Sequence, residues 1–486
     1  MKTICSRHRV VRPLKRLVAC LVLGTALAAC DRPFEEPPRP RIDVIQPDLE
    51  FILPDREPQL AIRVTSSATI EQVVAGDDTL AYDEAENLWR GLHVMTNGLN
   101  AIVFSITDTE MRTTRDTAYA IVDVLLKSRS GPHLPSPRGG HTATRLDDGT
   151  ILLIGGAPHA TGPALGSGLR LEEGGVEFEP LEPTLNVPRT GHTATLLPDG
   201  RILLIGGSRR DEAGTLEDLV ETVETFDPST GAFEILPVLG EPIRRTEHTA
   251  TLHEENGDLF VDLYGGTGDV SYRPPILGTR ADVRRFLIQG DSLTALDPAP
   301  GPMMDEMLAG HSQIELYPNV LGNRRFHVTG GRFEQGFDDG ADFEVEYHPQ
   351  FGLLQHATSP LLEARTDHAA ALLENGFVGI FGGRRASRSD VLNDIEIYSA
   401  VAERSFRYPE LSSPIARFAH TATKVENERI HLFGGFSPTA EGVVTSELYS
   451  IPYFEGGING KTGLLRDSQS AAPAAVTSSP DDINRR

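Results

Sequence analysis

The sequence predicts an all-β protein, six short antiparallel sheets closed into a propeller and preceded by a small β-sandwich. Three observations predict it. A strand opening on histidine, followed by a strand ending in a glycine doublet, occurs six times along the chain. Asp-Gly or Asn-Gly separates the two strands in four of the six copies, and these dipeptides supply the positive φ angles of a two-residue hairpin. Upstream of the copies, short runs alternate apolar and polar residues, with turn residues between them, which is the period of half-buried strands.

The repeat histidines are His141, His192, His248, His311, His368 and His420, spaced 51, 56, 63, 57 and 52 residues apart. The doublets are Gly155-Gly156, Gly206-Gly207, Gly265-Gly266, Gly330-Gly331, Gly382-Gly383 and Gly434-Gly435. The intervening turns are Asp148-Gly149, Asp199-Gly200, Asn256-Gly257 and Asn375-Gly376, whereas the fourth copy has a longer turn, Tyr317 to Asn323. A third strand follows each variable loop, as in Thr222–Phe226 and Asp394–Tyr398, and an aromatic residue, Phe178, Phe233 or Phe406, marks the fourth. The pattern and its period resemble the Kelch repeat. That resemblance implies a six-bladed β-propeller over residues 134–455, with Phe where the family usually has Trp. A ring of blades protects its strand edges by closing on itself. The sixth copy lacks a good fourth strand, so Ser128 to Leu134 or Tyr453 to Ile458 is expected to complete it.

Residues 41–127 read as the sandwich. Leu60–Val64 and Ala101–Ile106 alternate, Thr117–Leu126 is β-rich, and Gly76-Asp77-Asp78, Asn97-Gly98 and Asp108 supply turns. Trp89, then Gly98-Leu99-Asn100, then Phe104 to Asp108 resembles bacterial Ig-like modules. The resemblance implies a spacer or adhesive unit with Trp89 in its core.

The chain opens with Lys2, Arg7, Arg9, Arg12, Lys15 and Arg16, followed by an apolar run from Leu17 to Ala29. That run is too short to span a bilayer, which takes about 20 residues, and it has the organisation of an export signal. It ends in Leu27-Ala28-Ala29-Cys30, which resembles the lipobox of bacterial lipoproteins. The resemblance implies a signal peptide over 1–29, lipidation of the Cys30 sulfur, and a chain held to an envelope membrane on its periplasmic or cell-surface side. Asp31 resembles the inner-membrane retention residue of enteric bacteria, a rule that does not transfer to all bacteria. Residues 30–40 hold four prolines and form a stiff tether. Residues 456–486 are rich in Ser, Ala, Pro and Asp without apolar periodicity, and are expected to be disordered. The other cysteines, Cys5 and Cys20, lie inside the signal, so the processed chain has no disulfide pair and no cysteine-ligated metal.

The chain holds 45 Lys+Arg and 69 Asp+Glu. Taking the six basic residues of the signal from 45 leaves 39 against 69. So acidic a surface repels nucleic acid and anionic lipid. No HExxH, GxSxG or phosphate-loop motif is present. One histidine at an equivalent place in every copy reads as a hydrogen-bonding strut to neighbouring backbone, not as a metal ligand. No catalytic residue, metal or cofactor is expected.

Three residues before the repeat histidine stand Arg138, Arg189, Arg245, Leu308, Arg365 and Arg417. Guanidinium binds carboxylate in a bidentate fashion, so the five arginines are candidates for ringing a propeller mouth that accepts an acidic peptide or an anionic glycan. The alternative is that each pairs with an acid on the adjacent blade and staples the ring. The loops after the doublets are the natural carriers of specificity. One of them holds Asp338-Asp339-Gly340-Ala341-Asp342, which lacks EF-hand spacing and reads as a solvated acidic loop. The expectation is a monomeric, non-enzymatic scaffold binding an envelope protein or glycan. The alternative is a carbohydrate-active enzyme such as a sugar epimerase or lyase.

Overall fold

The computed structural model describes residues 40–450 apart from 50–52, 54–57, 97, 123–126, 212–215, 273–274, 280–281, 297–307, 320, 333–340, 349–351, 374–375, 386–389, 414 and 426–428. Cys30 and the signal, most of the tether, Asp338 to Gly340, Tyr453 to Ile458 and the tail lie outside the described residues. Those described form β-strands and turns, with no helix among them.

Seven N-terminal strands are hydrogen-bonded in the order Arg41–Gln46, Gln59–Thr65, Leu88–Leu92, Asp78–Asp83, Ile70–Ala75, Gly98–Asp108, Thr113–Val122. Period-two burial is clearest in the longest central strand, where Ile102, Phe104 and Ile106 are buried while Val103 is exposed. They pack with Leu60, Ile62, Val73 and Trp89 in one core. Trp89 lies against Tyr82, ring centroids 5.1 Å apart. The turn residues are fastened by side chains. Asn100 Oδ1 accepts from Thr96 N at 2.9 Å, and Asp108 Oδ1 accepts from Glu110 N and Arg112 N at 2.9 and 3.0 Å.

Each repeat then forms its own small sheet in a propeller-like arrangement, antiparallel except for one parallel edge strand, Val238–Leu239, in the third. In the second, Thr193–Leu196, Ile202–Ile205, Val223–Asp227 and Ala232–Leu236 lie side by side in that order. The second strand, flanked on both sides, is buried throughout, as an interior strand of a stacked sheet must be. The sixth repeat supplies Thr421–Val425, Arg429–Phe433 and Ser446–Ser450, and its outer strand is Lys127–Ser130, paired through Leu448↔Arg129 and Tyr449↔Ser128. Residues from the start of the repeat region thus complete its last sheet. The boundary between the N-terminal strands and the ring falls after Val122, earlier than 127 and 134, because Lys127 already belongs to this outer strand.

Six residues preceding the repeat histidines are joined head to tail through their backbones. Gly191 N donates to Gly140 O, Glu247 N to Gly191 O, Gly310 N to Glu247 O, Asp367 N to Gly310 O, Ala419 N to Asp367 O, and Gly140 N to Ala419 O, at 2.7–3.0 Å. The last bond returns to the first residue and closes the ring.

The N-terminal sheet is not separate from this ring. Leu99 and Ile121 share a buried cluster with Phe377, Phe381, Ile397, Phe406 and Tyr449 of the fifth and sixth repeats.

Candidate functional site at the mouth of the ring

The segment entering each sheet pairs with the segment leaving its glycine doublet, as in Thr190↔Ser208, Ala309↔Arg332, Thr366↔Arg384 and Phe418↔Phe436. Both sets therefore lie at one end of the ring. The doublet is what lets neighbouring sheets approach there. Gly206 and Gly207 have φ of 66° and 96°, a region open to glycine. A Cβ on Gly206 would sit 2.7 Å from His248 Cε1 of the next repeat, and one on Gly207 would sit 3.0 Å from His192 Cβ of its own. All twelve doublet glycines have positive φ, so the geometry recurs in each repeat.

The histidines fill the space so created. All six are 5–6% exposed. Their partners are hydroxyls, where a backbone partner was expected. Nε2 of His192, His248, His311 and His141 meets the hydroxyl of Thr142, Thr193, Thr249 and Thr421 on the preceding repeat, at 3.2, 3.3, 2.9 and 3.2 Å. The two exceptions follow from the sequence. Ser312 gives its hydroxyl to His368 O, and position 369 is alanine, leaving Nε2 of His368 and His420 without a partner. Burial holds all six well below the ordinary histidine range, His141 down to about 3 and His311 to about 4. They are neutral struts.

The five repeat arginines do not face the mouth. Arg138, Arg189, Arg245, Arg365 and Arg417 are at most 2% exposed. Each donates Nη1 to the carbonyl of its own repeat's first doublet glycine, from 2.8 Å at Gly382 to 3.3 Å at Gly155. Arg189 Nη2 reaches Glu224 at 2.5 Å, Arg365 pairs with Glu396 and with Asp394 at 2.8 Å, Arg417 pairs with Glu447, and Arg245 meets Asp282 at 2.9 Å. Arg138 has no acid partner among the described residues and donates instead to Ser167 O and Oγ. Burial pulls Arg138 down to about 10. At Arg365 burial opposes the charge, but Glu396 and Asp394 outweigh it and raise the pKa. The expected anion-binding mouth of arginines is thereby corrected, since a guanidinium spent on buried carbonyls and carboxylates presents nothing to a ligand. The acid also lies on the same repeat's third strand, where the adjacent blade was expected. Glu224 additionally accepts from Asn186 N and Val187 N at 2.8 and 3.1 Å, tying the entering segment to the sheet.

What lines the mouth is a different set. Where the first, second and fourth repeats carry glycine in the closed ring, the third and fifth carry Glu247 and Asp367, at φ of 58° and 55°. Left-handed backbone costs a side-chain-bearing residue about 1–2 kcal/mol. Arg332 pairs with Glu247 and stands 3.6 Å from Asp367, and Arg384 Nε donates to Asp367 at 2.7 Å. Arg384 also lies 4.6 Å over the Phe418 ring. The four charged groups form one alternating chain across three repeats, with side chains 9–34% exposed. The other members of the closed ring are Gly140, Gly191, Gly310 and Ala419, and Phe418 and Phe436 are buried beside it. Sequence reasoning missed these four residues. The signal was an acid replacing the glycine in Gly-His, at Glu247 and Asp367. Among the described residues no cluster of three or more His, Cys, Asp or Glu could hold a metal.

No protein family matches the chain, and no curated protein matches it. Among solved structures it is similar to the structure of YjhT, with a TM-score of 0.49 and 14% identity, over 66% of this chain and 99% of that one.

Proposed function

We propose that this chain is an envelope lipoprotein, anchored through Cys30, whose six-bladed Kelch-type propeller is a non-enzymatic scaffold for an envelope protein or glycan. The seven N-terminal strands serve as an Ig-like sandwich between the anchor and the ring. The observation that carries the binding reading is the chain Glu247–Arg332–Asp367–Arg384. Non-repeated charged residues converge at the mouth of an otherwise repetitive ring, and two of them occupy backbone that favours glycine. Two acids against two arginines leave this patch charge-balanced, an array of donors and acceptors suited to a hydroxyl-rich or amide-rich partner.

The test is in-cell crosslinking with affinity purification, comparing wild type with Glu247→Gln, Arg384→Gln. A specific envelope protein or glycan captured by wild type and lost from the folded variant is the expected result. Equal capture by both would refute the mouth as the binding surface. A second reading, a sugar epimerase or lyase, is favoured by the two carboxylates sharing one mouth. It predicts turnover of a sugar substrate that Asp367→Asn abolishes without loss of fold.

A further inference from the structure

A second polar concavity lies where the ring closes, between the first and sixth repeats and toward the strand ends opposite the mouth. It is a cleft of about 700 Å³, within the range of ordinary small-molecule sites. Three guanidiniums line it, from different strands: Arg129 on the outer strand Lys127–Ser130, Arg145 at the end of Thr142–Arg145, and Arg429 at the start of Arg429–Phe433. Two carboxylates face them, Glu172 and Glu173. Glu173 is engaged by Arg145 at 3.1 Å, and Glu172 by Arg170 at 3.2 Å. Arg129 is exposed and makes no ion pair among the described residues.

Ser446 Oγ donates to Pro132 O at 2.8 Å, so the 2.8 Å contact with His431 has Nε2 donating to Ser446. Burial keeps the His431 ring uncharged, with its pKa down to about 3. Ile151, Leu171 and Leu448 give an apolar floor, and the space above Gly174 is open. In a chain of net charge −24, this wall sets three guanidiniums against two carboxylates, and both carboxylates are already held, by Arg145 and Arg170. Arg129, exposed and without an ion pair among the described residues, is placed to take one anionic group. Guanidinium on a partly enclosed, partly apolar wall suits a carboxylate.

We propose that this cleft binds one carboxylate carried on a small polar ligand, with Arg129 as its principal anchor. The carboxylate can belong to an acidic sugar or to a peptide C-terminus, and both present the same group to Arg129. A ligand held there touches the outer strand of the last sheet and the first repeat together, so it clamps the closure of the ring.

Calorimetric titration of the full chain tests this with a uronic-acid-containing disaccharide, its neutral counterpart, trialanine and trialanine amide. At least one acid is expected to bind, with its neutral counterpart about tenfold weaker or worse. Binding by the disaccharide alone assigns a sugar acid, and binding by trialanine alone assigns a peptide C-terminus. Arg129→Ser is expected to weaken binding by about tenfold, with partial recovery in Arg129→Lys. Arg129 is exposed, so an unchanged melting temperature confirms that the variant folds, and Arg429→Ser gives a second loss from an independent strand. Hydrogen exchange at residues 127–134 should slow when ligand is bound. The proposal is overturned if neither acid binds, if acid and neutral forms bind alike, or if Arg129→Ser binds as wild type does. Glu247→Gln, which alters the mouth, should leave this titration unchanged, so the two sites fail or succeed separately.

Discussion

Arg189 and Glu224 meet with neither side chain exposed, and comparing the repeats shows what that pair replaces. By register, the residue opposite the second-strand position two before the doublet is Glu224 in the second repeat, Glu396 in the fifth and Glu447 in the sixth. Each of these repeats has the arginine. In the fourth repeat the same two positions are Leu308 and Phe343, both apolar. In the third the acid position is Arg284, which donates to Pro242 O and Glu241 O at 2.8 and 3.0 Å, so the polarity is reversed but the entering segment is still tied down. In the first it is Leu169, and Arg138 relies on Ser167. The position thus has a polar and an apolar solution, and breaking one half is the costly case. Arg189→Leu alone strands a buried carboxylate and is expected to cost about 3–5 kcal/mol. Adding Glu224→Phe, which copies the fourth repeat, should recover at least half of that. The residual loss comes from the Asn186 and Val187 amides that Glu224 served. Urea midpoints of the two singles and the double measure it, and additive losses would contradict the paired account. This pairing was illegible in the sequence for a plain reason. Arg189 and Glu224 are 35 residues apart, but Arg365 and Glu396 only 31, because the loop between them varies.

At the level of strands and sheets, much more was legible. The histidine, the hairpin dipeptide and the doublet are local backbone instructions, so strands such as Ile202–Ile205 and Phe377–Phe381 stand where periodicity put them. The need for a donated outer strand was also readable, because Ser446–Ser450 would otherwise be an open edge. The docking of the N-terminal sheet was not readable. Leu99 and Ile121 look like ordinary inward residues of a free-standing module, and nothing local marks them as touching Phe377 and Phe406, over 250 residues away. A shared core makes a testable difference. Ile121→Ala removes a fully buried side chain and is expected to cost about 2–5 kcal/mol. The loss should speed hydrogen exchange in Phe377–Phe381 and Arg429–Phe433 as well as in the N-terminal strands. Faster exchange confined to residues 41–122 would mean that the two regions are energetically separate.

For the whole molecule, the six neutral histidines set an acid limit. Their folded pKa values all lie below the ordinary 6.5, that of His141 at about 3 and of His311 at about 4, so as pH falls below 6.5 the unfolded chain binds protons that the folded ring refuses. Stability is therefore fully present above about pH 6.5 and declines as pH falls, by up to about 1.4 kcal/mol per pH unit for each histidine. A melting temperature that falls steeply between pH 6 and pH 4 is expected, and a flat profile there would contradict the reading. The same ring constrains what the mouth can present. The six backbone bonds through Gly140, Gly191, Glu247, Gly310, Asp367 and Ala419 run along a circumference, one after another. In a helix such dipoles align and add along the axis; around a closed loop they are tangential and their vector sum vanishes. The hoop therefore adds no net dipole along the axis of the ring. Glu247 and Asp367 are the charged members of the hoop, and with Arg332 and Arg384 they stand on one arc, so a polar visitor meets them on the side of the third to fifth repeats.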